Sequence, residues 1–230
     1  MPAFLSARQA AQLQKIARPY KKQVKLGKPW EERTDDELWR KVLSQIVVVG
    51  RAEPGIRLEH DPNVKRQVSI KRLKRFQNDG ELQKYLHGVF VELGVRFVKR
   101  NWKTDAKTIA AVKNFRKLTD RTKPIQFFEQ IAKLKTEEEK IAALQKGLRY
   151  FGNKGARDSL IDLRLAENCM ALDARIFGVL KKVGVRVSPD DIFRQIEKEL
   201  IAKVAEPLGI SGGRLDRILF QNYSRILKRI

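Results

Sequence analysis

The sequence combines a lysine in a glycine-rich turn with an aspartate nineteen residues further along the chain. The turn reads Gly152-Asn153-Lys154-Gly155, and Asp173 opens a stretch in which apolar residues recur at helical spacing. An unprotonated lysine amine can attack an electrophilic carbon, and a carboxylate can accept the proton or stabilise positive charge in the transition state. The pair therefore suits nucleophilic displacement, although an aspartate just before a helix is most often an N-cap.

The glycines of the turn are suited to binding a phosphate group. Backbone N–H groups at the start of a helix carry partial positive charge, and a phosphate can approach them closely where no side chain intervenes. We predict one helix that ends near Tyr150 and a second that begins near Gly155. Gly152, Asn153 and Gly155 would then contact the phosphate. A P-loop is excluded because Asn153 stands where that motif has lysine, and no serine or threonine follows.

The chain is strongly basic. Its 230 residues contain 49 Lys and Arg against 27 Asp and Glu, which gives a formal net charge of +22. Such a charge suits a polyanionic partner, most commonly nucleic acid. On DNA, attack by Lys154 at the anomeric carbon of a sugar would displace the base and leave an iminium link to the protein. A basic ribosome-associated or RNA-binding protein without enzymatic activity is the alternative on charge alone.

The composition gives little support to a metal or cofactor site. The single cysteine, Cys169, excludes an internal disulfide and a cluster held by four thiolates of this chain, and it indicates a reducing compartment. Only His60 and His87 occur, without helical His-x-x-x-His spacing, so we expect no zinc site. No apolar run approaches the roughly 18 residues of a membrane span. We expect chemistry without a metal, a small-molecule cofactor or a membrane.

Helix start signals recur along the chain, whereas no segment sustains the period of two that indicates a strand. Thr34 with Glu37 and Thr136 with Glu139 each form a capping-box pattern ahead of apolar residues at helical spacing. Residues 188–191 (Ser-Pro-Asp-Asp) form a third start, with proline at the first helical position. The sequence therefore predicts an all-α protein.

The sequence divides into a basic N-terminal segment and a longer core. Residues 1–33 carry seven Lys or Arg before the first acid, Glu31, and we interpret them as a basic arm or first helix that is part of the fold. An organelle transit peptide is the alternative, which the single serine and the predominance of lysine disfavour. Residues 34–230 form the predicted core, with the hairpin around residues 147–160.

Two motifs in the core resemble a known family. Gly152-x-Lys154-x-Ala156 followed by Leu172-Asp173-x-Arg175-Ile176 is similar to the helix–hairpin–helix, Gly/Pro…Asp superfamily of DNA glycosylases, which includes endonuclease III and the 8-oxoguanine glycosylases. Asp36-Glu37-Leu38 leading to Leu43-Ser44-Gln45 also resembles an early helix of that family. The resemblance extends from about residue 34 to 184 and is sharpest over 147–184.

The resemblance implies an all-α fold of two helical lobes, with a DNA-binding cleft between them and the target nucleotide flipped into a pocket. It implies that Lys154 is the Schiff-base nucleophile of a glycosylase with AP lyase activity and that Asp173 is the shared catalytic aspartate. Gln45 falls on a position close to the DNA where the target base has left the stack. We count Arg157 with the hairpin residues as DNA-binding. The expected partner is double-stranded DNA containing a damaged base, bound by a monomer.

The sequence also departs from the family pattern. The usual hairpin has Gly-x-Gly before the lysine, but here Tyr150 stands at the first of the two glycine positions. The cysteines that hold the cluster of endonuclease III are absent, which favours the cluster-free branches that include archaeal 8-oxoguanine glycosylases. 8-Oxoguanine is accordingly the first candidate substrate. Two alternatives stay open: a monofunctional glycosylase for alkylated or mismatched bases, and a non-catalytic helix–hairpin–helix DNA-binding protein.

Overall fold

A computed structural model of the protein describes residues 4–185 and 193–230. Within these ranges the chain is helical and has no β-strand, which confirms the predicted all-α class. None of these helices is long and apolar enough to cross a membrane. The α-helices are α1 (Ala7–Ala17), α2 (Asp35–Val47), α3 (Glu53–His60), α4 (Pro62–Gln67), α5 (Ile70–Leu73), α6 (Asp79–Glu92), α7 (Ala106–Thr119), α8 (Pro124–Ala132), α9 (Glu137–Gly147), α10 (Asn153–Asp162), α11 (Ala174–Lys182), α12 (Phe193–Leu200), α13 (Gly212–Gln221) and α14 (Tyr223–Leu227).

The predicted capping boxes are confirmed. The Thr34 hydroxyl accepts from the Glu37 N–H at 3.2 Å, and the Glu37 carboxylate accepts from the Thr34 N–H at 2.7 Å. Thr136 and Glu139 form the same reciprocal pair at the start of α9. These bonds satisfy backbone donors that have no partner inside the helix, so local sequence favours a helix start at both places. The predicted start at residues 188–191 lies outside the described residues.

Residues Pro29–Gly155 form one compact unit around an aromatic core. Trp39 of α2 is fully buried, and its ring lies edge-on to the Phe115 ring of α7 with 5.2 Å between the centroids. The indole N–H donates to the Val68 carbonyl at 2.9 Å, which satisfies the polar atom of this side chain. The core therefore holds α2 against α7, two helices that also carry residues of the candidate site.

The other compact unit combines Met1–Lys28 with Ala156–Ile230. Its apolar core is built from nearly fully buried side chains of α1, α11, α12 and α13. The Glu199 carboxylate accepts from the backbone N–H groups of Phe4 and Leu5 at 3.0 and 2.8 Å. The basic N-terminal segment thus contains a helix, α1, that packs with the C-terminal part of the chain. The chain passes from one unit to the other between Lys28 and Pro29 and again within α10.

Helices α9 and α10 are joined by the turn Leu148–Gly152. α9 ends at Gly147 and α10 begins at Asn153, so the first helix is shorter, and the second starts earlier, than predicted. Leu148 leaves the helix with an extended backbone (φ −128°, ψ 143°) while its side chain is buried in the unit. The second helix, α10, starts at Asn153. Lys154 consequently lies in the first turn of α10 and not in the loop.

Tyr150, in the middle of this turn, has a left-handed backbone with a φ of +67°. This conformation costs roughly 1–2 kcal/mol for a residue with a Cβ atom, because the Cβ approaches the following carbonyl oxygen. It is the position where the family that the sequence resembles has its first hairpin glycine. The turn therefore has a backbone conformation suited to glycine although the residue is tyrosine. The surrounding structure must stabilise this strained conformation.

We expect Tyr150→Gly to be more stable than Tyr150→Ala by about 1 kcal/mol, since both variants lose the ring but only alanine keeps a strained Cβ. Urea unfolding of the two variants measures the difference. Ala142→Gly, at an exposed position within α9, is the matched control. There glycine should be the less stable residue by roughly 0.5–1 kcal/mol. An alanine variant at 150 that matches or exceeds the glycine variant in stability would contradict the assigned backbone strain.

Candidate functional site

A single buried asparagine holds the hairpin turn in place. Asn114 of α7 is 1% exposed, and its side-chain oxygen accepts from the Arg149 N–H at 2.8 Å. Its side-chain amide donates to the Arg149 carbonyl at 3.0 Å. Asn114 thus pairs with one residue of the turn as a neighbouring β-strand would, and it satisfies both backbone groups of Arg149 where no helix can. The role of Asn114 is not predicted from the sequence, because its partner Arg149 lies 35 residues away and no local pattern indicates the contact.

The end of the turn is open to a ligand. Gly152 is exposed, a Cβ atom placed there would meet no atom within 4 Å, and its φ is not positive. Neither space nor backbone conformation therefore requires glycine at this position. The predicted phosphate contact at Gly152 stays a prediction. Lys154 follows in the first turn of α10, exposed and without an ion pair to any residue of the described ranges.

Gln45 lies against the start of α10. A Cβ atom built on Gly155 would be 3.2 Å from Gln45 Oε1 and 3.4 Å from the Tyr150 carbonyl oxygen. The glycine therefore allows the half-buried Gln45 side chain and the hairpin backbone to come together. Asn153, also predicted as a DNA contact, is exposed and bonded through its side-chain oxygen to the Gln145 amide at 3.0 Å. The structure thus brings Gln45 and the predicted hairpin residues to one end of α10.

A basic groove of about 780 Å³ runs beside the turn. No aspartate or glutamate lines it, whereas four exposed cationic side chains do: Lys113, Lys117, Lys146 and Arg149. The two lysines of α7 are four residues apart and so project from one face of that helix. Four positive charges without an opposing carboxylate in the lining give this groove a positive potential, which favours an anionic ligand.

The Tyr150 phenol also lines the groove. Burial raises its pKa, and the Asp105 carboxylate raises it further. The phenol therefore stays protonated through neutral pH and keeps a hydrogen that it can donate to an anion. This adds a neutral donor to the cationic side chains of the groove.

Asp173 caps α11, as its place before an amphipathic stretch predicted. Its Oδ1 accepts from the N–H groups of Arg175 and Ile176, both at 3.0 Å. Asp173 is half-buried, and within residues 4–185 and 193–230 its Oδ2 accepts no hydrogen bond. The cap thus fixes the orientation of the carboxylate with one oxygen and leaves the other available for chemistry. Asp173 belongs to the unit that includes Ala156–Ile230, whereas Lys154 belongs to Pro29–Gly155.

The prediction that Arg157 contacts DNA is wrong. Its side chain is buried at 3% exposure, and its guanidinium donates to both carboxylate oxygens of Glu197 at 2.9 Å. The guanidinium also lies 4.9 Å from the centre of the Phe193 ring. Position 157 shares its helix face with Leu160 and Ile161, which are buried. This apolar spacing, three and four residues on, was the sequence signal that Arg157 points inward.

A cluster of three or more metal-ligating side chains is absent from the part of the chain that the structure describes. Comparison by sequence finds no family model and no curated protein that matches this chain. Comparison by structure finds similarity to the 8-oxoguanine DNA glycosylase of Thermotoga maritima, with a TM-score of 0.61 and 20% identity over 93% of each chain. It also finds similarity to the 8-oxoguanine DNA glycosylase of Methanocaldococcus jannaschii, with a TM-score of 0.63 and 17% identity over 94% of each chain.

Both likenesses extend over nearly the whole of each chain, well beyond the region in which the motifs of the sequence are sharp. The resemblance to the helix–hairpin–helix glycosylases is therefore confirmed at the level of the fold. At such low identity individual side chains need not be shared, so each site residue stands on the chemistry of its own surroundings. The chain has the all-helical fold of the 8-oxoguanine DNA glycosylases to which it is similar.

Proposed function

We propose that this protein is a DNA glycosylase with AP lyase activity that acts in base-excision repair, with 8-oxoguanine in duplex DNA as its first candidate substrate. The observation that carries the proposal is the similarity of its fold, over more than nine-tenths of the chain, to two 8-oxoguanine DNA glycosylases. The place of Lys154 in the hairpin motif supports it, as do Asp173, whose Oδ2 is not used by the helix cap, and the basic groove beside the hairpin.

In the proposed reaction, Lys154 is the nucleophile. Its unprotonated Nζ forms a bond to C1′ of the damaged nucleotide while the bond from C1′ to the base breaks, and the base leaves with that electron pair and takes up a proton. Opening of the sugar then gives an iminium between Lys154 and C1′. The iminium acidifies the C2′ proton, whose removal expels the 3′ phosphate and cuts the strand. The duplex must present the nucleotide unstacked, because C1′ is shielded inside the helix.

Asp173 has the complementary role in this proposal. Its free Oδ2 can accept the proton that the amine must lose, or it can stabilise the positive charge that grows on the sugar as the base departs. The helix cap keeps the carboxylate in one orientation. An asparagine at this position would keep the cap but could do neither task.

The hairpin grips the DNA backbone in this proposal, through the N–H groups at the start of α10 and the cationic side chains of the groove. Gln45, beside Gly155, lies next to this contact. Binding of this kind is independent of sequence and falls steeply with salt concentration. It suits an enzyme that must search undamaged DNA before it meets a lesion.

Gly152→Ala tests the phosphate contact. We expect the variant to unfold at the same temperature as the wild type but to bind duplex DNA about tenfold more weakly, the loss of one hydrogen bond to a charged group. Gly88→Ala on α6 is the control, since a Cβ atom there also meets nothing within 4 Å. Fluorescence anisotropy gives the affinities. Equal affinity for Gly152→Ala and the wild type would remove Gly152 from the DNA contact.

Borohydride trapping tests the nucleophile. Wild-type protein with duplex DNA that contains 8-oxoguanine should give a covalent protein–DNA band, because borohydride reduces the iminium. Lys154→Gln should give none. Lys146→Gln removes the same charge from the basic groove, so it should weaken DNA binding while the covalent band still forms at saturating DNA.

A covalent band in Lys154→Gln would reject Lys154 as the nucleophile. A band with an abasic site but not with 8-oxoguanine would keep the lyase and reject the substrate.

A second candidate, a monofunctional glycosylase for alkylated or mismatched bases, is favoured by the exposed position of Lys154 in the first turn of α10, where a phosphate contact suffices. It predicts base release without any covalent band. A non-catalytic DNA-binding protein would give neither base release nor a covalent band.

A further inference from the structure

The segment just before Asp173 is held in an unusual conformation. Met170, Ala171 and Leu172 are buried, lie outside any helix, and have backbone N–H groups that need partners in the interior. Leu172 has a φ of +40°, a left-handed conformation that a branched side chain rarely adopts. Strain of this size persists only where neighbouring groups fix the backbone. The residue next to the candidate catalytic aspartate therefore needs strong hydrogen-bond partners.

One partner is the buried Glu197 of α12. Its Oε1 accepts from the Met170 N–H at 2.8 Å and from Arg157 Nε at 2.9 Å. Its Oε2 accepts from Arg157 Nη2 at 2.9 Å. Glu197 is 7% exposed, so its charge is compensated inside the protein by the arginine that was expected to bind DNA.

The second partner is Asp216 of α13. Its Oδ1 accepts from the Ala171 N–H at 2.7 Å and from the Leu172 N–H at 3.4 Å. Asp216 is 1% exposed, and Arg217 Nη1 lies 3.8 Å from its Oδ2. The same Arg217 nitrogen donates to Asp158 Oδ1 at 2.8 Å. One carboxyl oxygen thus fixes two successive amides immediately before Asp173.

We propose that Asp216 and Glu197 are positioning residues, which hold Met170, Ala171 and Leu172 so that Asp173 presents its free oxygen at a fixed place. The inference rests on the proposed function of Asp173. Neither carboxyl is exposed, so neither acts on DNA directly. Burying two acids with two arginines gains little stability over apolar packing, and a fixed backbone geometry is what the pairs supply in return.

The hydrogen bonds do not require the Asp216 carboxyl to be charged. A proton on Oδ2 would leave Oδ1 free to accept from both amides, and asparagine reproduces that arrangement. Alanine removes the acceptor. Glutamate keeps the charge but moves the acceptor by one methylene group. These three replacements separate the hydrogen bond from the charge.

The titration of Asp216 gives a separate prediction for stability. Burial raises its pKa from 3.8 to about 7, the Arg217 charge opposes this, and the Asp158 carboxylate adds to it. Between those two pH values the folded protein binds a proton that the unfolded chain does not, so this group lowers stability as pH rises from 3.8 to about 7. In Asp216→Asn the fall in the unfolding midpoint over this range should be smaller than in the wild type. Parallel midpoint curves would contradict the raised pKa.

Single-turnover base release at saturating DNA tests the positioning. We expect Asp216→Ala and Asp216→Glu to slow release by about 10- to 100-fold through misplacement of Asp173, with DNA affinity little changed. Asp216→Asn should keep most of the rate. Asp158→Ala is the control, because it removes a carboxylate from the same cluster but none that contacts the segment. Hydrogen exchange at the Ala171 and Leu172 amides, independent of catalysis, should accelerate in Asp216→Ala but not in Asp158→Ala.

A wild-type rate in folded Asp216→Ala would overturn the proposal, as would an Asp216→Asn variant as slow as the alanine variant. If Asp216→Ala does not fold, a wild-type rate in Asp216→Glu overturns it. Asp173→Asn, measured alongside, separates this failure from that of the proposed function. If Asp173→Asn releases base at the wild-type rate, or if the wild type releases no base, the proposed function is rejected and the positioning role with it. If Asp173→Asn releases base slowly while the Asp216 variants release it at the wild-type rate, only the positioning role is rejected.

Discussion

A backbone amide that leaves a helix inside a protein still needs a hydrogen-bond partner, and this constraint shapes both candidate catalytic regions. An all-helical chain has no sheet to supply such partners, so buried side chains must do it. Asn114 pairs with both backbone groups of Arg149 in the hairpin turn. Glu197 and Asp216 accept the N–H groups of the segment before Asp173. In each case a buried side chain binds the backbone next to the residues proposed to act on DNA.

Backbone strain accompanies both regions. Tyr150 in the hairpin and Leu172 before Asp173 have positive φ values, although neither is glycine. Phe97 and Arg164 also have positive φ values, so this conformation alone does not identify a functional site. Tyr150 and Leu172 are distinguished by buried side chains that bind the backbone at or beside them. The strain and the buried partners belong together: the partners hold the backbone in a conformation that the local sequence would not choose.

The sequence predicted those features that short-range interactions determine. The capping boxes at Thr34 and Thr136 and the cap at Asp173 each depend on residues within one turn of the helix, so their patterns are visible in the sequence. The all-α class followed from the helical spacing of apolar residues. The similarity of this chain to glycosylases in fold was predicted from short motifs, and not from how its helices pack.

Long-range partners account for what the sequence did not predict. α9 ends at Gly147, where Leu148 takes an extended backbone, and the turn that follows is bound by Asn114, 35 residues before its partner Arg149. Arg157, expected to contact DNA, instead binds Glu197, 40 residues further along the chain. The general basic character of the chain hid this buried arginine among many exposed ones. Only the apolar residues that share its helix face distinguished it.

Removal of a base from DNA with the help of Asp173 is the reaction that we propose for this protein. The most direct measurement is chromatographic detection of free 8-oxoguanine released from duplex DNA by the wild type and by Asp173→Asn. We expect free base from the wild type and a loss of release of several orders of magnitude in the variant, which should keep the helix cap and the ability to bind DNA. Equal release by both proteins, or tight DNA binding by the wild type without any free base, would contradict it.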